Sequence, residues 1–243
     1  MYNKYIIMNH INTKRLVKDI TNLECNNLHS HGIYHHVNED NIYNIKILMI
    51  GPEDTPYCYG FYLFDITISE EYPFKPPIVK SCTQNGYTRF NPNLYINGKV
   101  CLSILNTWSG PQWTSCNNIS TVLLSIQSMV FVKDPLHNEP GFENDKSSRN
   151  MNYNKLILYE NLNTGIYKTL KYVPNNFIYF SSIITKIFID NYNKIIDIIK
   201  NNLHEDKKFV DCHIYSMKGD LNYNELNDNI IKLYNSIILD YSS

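Results

Sequence analysis

The sequence predicts a mixed α/β fold of the α+β kind: an N-terminal helix, a four-stranded antiparallel meander sheet, following helices, and a C-terminal helical extension. Two observations carry this. Consecutive segments rich in β-branched and aromatic residues are joined by short turns, which antiparallel strands allow and parallel strands do not. Apolar residues at helical spacing stand before them and again through most of the last third of the chain. At 243 residues, one or two domains are expected, enough to bury a core without disulfides or metals.

Each element has its own signal. From Thr13 to Asn26, Leu16, Ile20 and Leu23 recur at helical spacing, and Thr13 is placed to cap the start. Lys14, Arg15 and Lys18 give that helix a basic side, which on charge patterning alone reads as a solvated face. "GIYHHV", "IYNIKILMI" and "YCYGFYLFDITI" alternate as strands do, and Gly51 to Pro56 turns between two of them. "YPFKPPIVKSC" brings Pro73, Pro76 and Pro77 ahead of a short fourth strand. Gln84 to Gln112 has little periodicity and many turn residues, and so long an irregular stretch in a compact domain points to function. Ile119 to Phe131 is a helix capped by Asn118, with Ile119, Val122, Ile126 and Met129 on one face. "KDPLHNEPGFEND" breaks it. Residues 177–203 read as one helical segment, apolar nearly all round and hence buried on more than one side. Residues 224–241 place Leu226, Ile230, Leu233 and Ile237 at helical spacing, and "KFVDCHIYSM" is a short strand between the two helices. No low-complexity linker interrupts the chain. The expected division is a core over 10–160 and a helical extension over 161–243 packed upon it.

Composition narrows the functional classes. The formal net charge is -1, so no global field favours nucleic acid or an acidic membrane surface. No apolar run approaches the roughly 20 residues of a membrane span, and the N-terminus lacks the apolar core of a signal peptide. The expectation is a reducing compartment, the cytoplasm and the nucleus as well, with no membrane and no nucleic-acid partner. The six cysteines, at 25, 58, 82, 101, 116 and 212, form no CxxC pair, which weighs against zinc and against a disulfide framework. The chain has no Ala, and only three of its 22 basic residues are Arg. That looks like coding bias, and it weakens propensity arguments.

Cys101 lies inside the irregular stretch, in "RFNPNLYINGKVCLSIL". An isolated thiol between Val100 and Leu102 supports packing, metal binding or nucleophilic chemistry. Packing is the default. Two turns push the other way: Asn97-Gly98 just before the cysteine, and the rigid Asn91-Pro92-Asn93. Together they bring the Asn93 amide toward the sulfur, and an amide donor there suits acyl transfer, whose tetrahedral intermediate carries an oxyanion. A cysteine hydrolase would need His137, the only histidine between Cys101 and Lys200, and no protease signature accompanies it. His31, His35 and His36 lack a carboxylate or thiol to complete a metal set. On a strand, His31 and His35 share one face and His36 takes the other, so they read as an exposed polar strand near a sheet edge.

Several linked motifs then resemble the ubiquitin-conjugating enzyme family. Tyr72-Pro73-Phe74-Lys75-Pro76-Pro77, Asn91-Pro92-Asn93, Cys101 eight residues after Asn93, Trp113 and "ISTVLLSIQSM" occur in that family's order over about residues 12–160. "RFNPN", "GKVCLSIL", "TWSGP" and "HNEPGFE" look like one branch: the large Z-type enzymes and the conjugating domain of the giant inhibitor-of-apoptosis ligase. The resemblance implies a ubiquitin-conjugating core and no metal or organic cofactor. It implies that Cys101 accepts ubiquitin or a ubiquitin-like modifier from an activating enzyme as a thioester and passes it to a substrate amine, usually lysine. Asn93 would stabilise the oxyanion or hold the loop. Glu139 would orient or deprotonate the incoming lysine, with His137 nearby. Asn91 stands where the family has His, and Pro92 fixes the turn between them. Ser103 stands where many relatives carry Asp. The resemblance implies partner surfaces as well: Lys14, Arg15 and Lys18 toward the activating enzyme, and Pro73, Phe74 and the Ser115 loop toward a ubiquitin ligase. Thr114-Ser115-Cys116 replaces the family's Pro-Ala there, and Cys116 reads as structural. The rival reading is a non-catalytic scaffold that binds ubiquitin or a ligase.

Overall fold

The computed structural model describes residues 2–38 and 40–242, with side chains over 12–38 and 40–239. Helix α1 (Tyr2–Cys25) starts well before the expected position, and Thr13 lies in its interior rather than at its cap. The residues ahead of Thr13 contain no Gly or Pro, so nothing local stops the helix. Leu16 and Leu23 are buried, and Ile20 packs against the same core.

Strands β1 (Ile33–Val37), β2 (Asn44–Ile50), β3 (Phe61–Thr67) and β4 (Ile78–Ser81) form a sheet in the order β1-β2-β3-β4, each pair antiparallel. This is the expected meander. The middle strands depart from strict in-and-out alternation. Leu48 and Met49 are both buried, as are Phe61, Tyr62, Leu63 and Phe64 in succession. Neighbouring strand residues point to opposite faces, so this sheet is covered on both. On one face, Tyr62 and Phe64 meet Phe131 at the end of helix α2 (Ile119–Val130), with ring centroids 4.7 and 6.4 Å apart. On the other, the Lys46 ammonium lies 5.7 Å over the Phe177 ring, and His36 stacks 3.5 Å from Tyr179. Phe177 and Tyr179 belong to a 3-10 turn, Asn175–Phe180, that leads into α5 (Ser181–Asn201). The extension therefore covers the sheet's outer face.

Two details of the expected core and edge are corrected. Asn118 does cap α2, accepting from the Thr121 amide at 2.9 Å. Met129, however, is 48% exposed, and Leu123 and Val130 fill the core instead. The buried stripe continues from Ile126 to Val130, four residues on, which leaves Met129 at its margin. His31 ends a 3-10 turn (Leu28–His31) and is not on β1, so it shares no strand face with His35. His35 and His36 are half-buried rather than exposed, because neighbouring rings cover them.

Beyond the core, α3 (Ser148–Glu160) runs without interruption into a π-helical stretch, Asn161–Lys168, and a final turn α4 (Thr169–Lys171). The 160/161 boundary thus falls inside one helical rod. Asn161 is fully buried at the switch: the Tyr62 phenol donates to its Oδ1 at 2.7 Å, and its Nδ2 donates to the Cys58 carbonyl at 2.9 Å. A Cβ on Gly60 would lie 1.9 Å from that Oδ1, so only glycine leaves room. α5 buries one side, through Ile184, Phe188, Ile195 and Ile199, and shows Lys186, Asp190, Lys194 and Asp197 to solvent. Its few charges share a face, which the high apolar content obscures in the sequence. α6 (Tyr223–Ser242) packs on it, with Tyr192 and Tyr234 stacked at 3.7 Å. The expected lone strand is half of a hairpin, β5 (Phe209–Asp211) paired with β6 (Lys218–Asp220). Residue 243, the expected end of the extension, lies outside the described residues. No helix among the described residues is long and apolar enough to cross a membrane.

Candidate active site

The irregular stretch is held by side chains rather than by a ladder of strands. Asn91, fully buried, is its anchor. Its Nδ2 donates to the Val130 carbonyl at the end of α2 (2.8 Å), and its Oδ1 accepts from the Asn93 amide (2.8 Å) and from Asn138 Nδ2 (3.3 Å). Pro92 fixes the turn, and its carbonyl accepts from Arg89 Nη2 at 2.5 Å. The chain then reverses through Asn97-Gly98, where Gly98 has φ +89° and Asn97 Oδ1 accepts from the Lys99 amide at 3.0 Å. A bridge between Leu94 and Val100 closes the loop.

This reversal lays Cys101 beside Asn93. The Cys101 amide donates to the Asn93 carbonyl at 2.9 Å, and Asn93 Nδ2 donates to the Cys101 carbonyl at 2.6 Å. In this conformation the Asn93 amide holds the main chain of the cysteine, which is the loop-fixing role. Thr107 holds the other side: its hydroxyl accepts from the Leu102 amide at 2.9 Å and lies 2.9 Å from the Val100 carbonyl. Thr107 sits in "NTWSGPQW", whose Asn106 takes a left-handed φ of +56° and accepts from the Trp113 amide at 2.8 Å. Trp113 is buried and donates to the Pro73 carbonyl at 2.7 Å. Trp108 is partly exposed. With Asn93, Leu102, Met129 and Asn138 it lines a groove of about 470 Å³ flanking the cysteine.

Cys101 itself is only 1% exposed. Yet it stands outside the hydrophobic cluster that contains Cys58 and Cys212. Burial pushes the Cys58 thiol up to about 11 and the Cys212 thiol up to about 12, so neither is a nucleophile at neutral pH. Cys25 and Cys116 are exposed. Cys116 is thus no packing residue, because its loop is held by Asn117, whose Oδ1 accepts from the Thr114 amide at 2.8 Å.

Glu139 is half-buried and comes directly after a 3-10 turn, Pro135–Asn138. Its Oε2 accepts the phenol of Tyr215, from the loop between β5 and β6. The Arg89 guanidinium lies between two rings, 3.8 Å from that of Tyr95 and 4.1 Å from that of Tyr215. Burial, and then the bond to Glu139, raise the Tyr215 phenol above its ordinary range. The His137 ring is instead 3.0 Å from the Asp145 carbonyl through Nε2. One network thus joins Asn91, Pro92, Asn93 and Cys101. Asn138 connects it to the turn carrying Glu139, while His137 is tied elsewhere. Sequence reasoning missed Thr107, Asn138, Arg89 and Tyr215. The first three lay within segments already singled out, whereas Tyr215 carries no local signal.

Among the expected partner residues, Lys14, Lys18, Phe74 and Ser115 are exposed and Pro73 is buried. Arg15 is committed within the chain. Its guanidinium bonds Asp19 at 2.9 Å and the carbonyls of Ser115 and Asn117 at 2.9 and 2.7 Å, tying α1 to the Ser115 loop.

The family model described as ubiquitin-conjugating enzyme matches residues 15–158, more than half of the chain. The chain belongs to the ubiquitin-conjugating enzyme family. It is 39% identical to the ubiquitin-conjugating enzyme E2 Z of Xenopus tropicalis, over 75% of this chain and 58% of that protein. It is 49% identical to human E2 Z over 50% of this chain and 35% of that one. It is 42% identical to the human dual E2 ubiquitin-conjugating enzyme/E3 ubiquitin-protein ligase BIRC6, over 49% of this chain and 3% of that much longer one. These are the branches that the motifs resemble. The chain spans 58% or less of the length of each of these relatives. The match to the ubiquitin-conjugating family model takes in the network from Asn91 to Glu139 and stops short of Tyr215.

Proposed function

We propose that this chain is a ubiquitin-conjugating enzyme that carries ubiquitin or a ubiquitin-like modifier as a thioester on Cys101 and delivers it to a substrate amine, usually lysine. The observation that carries the reading is the reciprocal pair of hydrogen bonds between Asn93 and the main chain of Cys101. It holds the main chain of a buried cysteine against a side-chain amide.

In the first step, Sγ of Cys101 attacks the thioester carbonyl of the modifier's C-terminal glycine on an activating enzyme. A new C–S bond forms, the activating enzyme's cysteine leaves as thiolate, and the Cys101 proton passes to solvent. In the second step, an amine attacks the Cys101 thioester. An amide forms, the Cys101 thiolate leaves, and the amine's proton passes to Glu139 or water. The Asn93 amide turns from the Cys101 carbonyl to the developing oxyanion. The groove lined by Trp108, Met129 and Asn138 takes the modifier's C-terminal tail. Cys101, 1% exposed, must be uncovered before its sulfur reacts.

The activating enzyme docks on the Lys14 and Lys18 side of α1, and a ligase docks at Phe74 and Ser115, all of them exposed. Arg15 acts as the strut between these surfaces. A free catalytic thiol suits a reducing compartment, the cytoplasm and nucleus, and the reading includes neither a membrane nor a nucleic-acid partner. The burial of Cys101 favours one second reading, a non-catalytic scaffold that binds ubiquitin or a ligase.

A charging assay separates them. The protein is mixed with ATP, ubiquitin or another modifier, and each activating enzyme, then run on non-reducing and thiol-treated gels. A thiol-sensitive band that vanishes in Cys101→Ala and survives in Cys116→Ala is the expected result. Folded protein that binds ubiquitin but never charges would establish the scaffold.

A further inference from the structure

We propose that Tyr215, supplied by the C-terminal extension, is a positioning residue for Glu139, so that the extension completes the amine-transfer site. This rests on the reading of Glu139 as the carboxylate that orients the incoming amine.

Three observations converge on it. The first is the contact. The Tyr215 phenol donates to Glu139 Oε2 across 76 residues of sequence. A carboxylate offers about four acceptor positions, so one bond on Oε2 fixes the group and leaves Oε1 for an amine. Burial raises the phenol above its ordinary range, so it is a donor at neutral pH.

The second is the backbone that delivers Tyr215. His213, Tyr215 and Ser216 take φ values of +52°, +55° and +57°, the left-handed region that non-glycine residues seldom occupy. A loop holds such a conformation only when its surroundings over-determine it. Here Cys212 and Met217, both buried, pin its ends, and the Cys212 amide donates to the Met217 carbonyl at 3.0 Å. Asp211 Oδ1 accepts from the His213 amide at 2.7 Å.

The third is the seat. The Tyr215 ring lies 4.1 Å from the Arg89 guanidinium and packs edge-on to Tyr153 at 6.4 Å. Tyr153 Oη donates to the Arg89 carbonyl at 2.5 Å, two residues before the Asn91 anchor. The hairpin is moored to α3, where Asn152 Nδ2 donates to the Asp211 carbonyl at 2.8 Å. The ring is therefore held by the core, and the hydroxyl is what it brings to Glu139.

The test is single-turnover discharge of the preformed Cys101 thioester to free lysine over a range of lysine concentrations, with thermal unfolding alongside. The variants are Tyr215→Phe, Glu139→Ala and the double substitution. Tyr215→Phe keeps the ring on Arg89 and removes only the hydroxyl, so its melting curve reports whether folding is intact. Its discharge rate at saturating lysine is expected to fall about tenfold or more, the effect of one charge-assisted hydrogen bond. In the Glu139→Ala background the same change is expected to do nothing further. Wild-type discharge by Tyr215→Phe overturns the inference, and so does a loss of equal size with and without Glu139, since the hydroxyl would then act elsewhere. Failure of the wild type to charge at Cys101 sinks the functional reading itself, a separate outcome seen before any discharge is measured.

Discussion

Asn91 shows how a single side chain can hold a catalytic loop. It stands where the resemblance expects His, and it satisfies the Val130 carbonyl, the Asn93 amide and Asn138 at once from a fully buried position. Removing it leaves a buried carbonyl and a buried amide without partners. Asn91→Ala is expected to cost about 2–4 kcal/mol in urea unfolding, and to slow charging at temperatures where the fold persists. Cys101 gives a second expectation at this scale. Maleimide labelling of the folded chain should modify Cys25 and Cys116 first, with Cys101 lagging at least tenfold (about 1.4 kcal/mol of opening) because it is covered. Labelling of Cys101 as fast as Cys116 would show the sulfur open. The Asn91–Asn93–Cys101 network was legible in the sequence because its hydrogen bonds span a few residues and its turn chemistry is local. Tyr215 was not legible, because its partner lies 76 residues away and nothing near it marks the contact. Arg15 was read as an outward charge because a sequence does not show which carbonyls a guanidinium will meet.

Among the elements, the sheet was legible in order and pairing, but its covering on both faces was not drawn from the sequence. "FYLF" puts four apolar residues in succession, which only a strand buried on both faces can place. That run could have announced the covering from the sequence. Gly60, just before it, has a steric duty to Asn161 of the π-helical stretch. Gly60→Ala is expected to destabilise by about 3 kcal/mol or more, read as a fall in melting temperature, because both neighbours are buried and hydrogen-bonded. Glu205 ties the extension to α3. Lys155, bonded at 3.0 Å, lowers its carboxyl below the ordinary range, and Lys208 adds to this. A carboxyl lowered in the folded state stabilises fully above its unfolded value and loses that contribution as pH falls through the folded one. Glu205→Gln is therefore expected to be less stable than wild type at pH 7 by about 1 kcal/mol or less, since both lysines are partly in solvent. The gap should shrink once pH drops below about 4.5, the ordinary value for such a group, and close below the lowered folded value. A gap that persists in acid would mean that packing, not charge, carries the effect.

At the scale of the whole molecule, core and extension share one interior. Leu48, Leu63 and Phe61 are within 1% of complete burial on a sheet whose outer face is covered by Phe177 and Tyr179 of the extension. Truncation after residue 160 would bare that face and cut the helical rod. The expected product is aggregated or insoluble, seen by light scattering and sedimentation, and a well-folded monomer of the truncated chain would contradict a shared interior. The rod from Ser148 to Lys171 has a further consequence. Each residue added to or removed from an α-helix rotates everything beyond it by about 100° and shifts it by about 1.5 Å. An insertion or deletion in this rod would therefore swing α5, α6 and the hairpin around the sheet and carry the Tyr215 hydroxyl away from Glu139. Substitutions on the rod's solvent side leave that phase intact, whereas a one-residue insertion in α3 is expected to lower the melting temperature and to loosen the Tyr215–Glu139 contact.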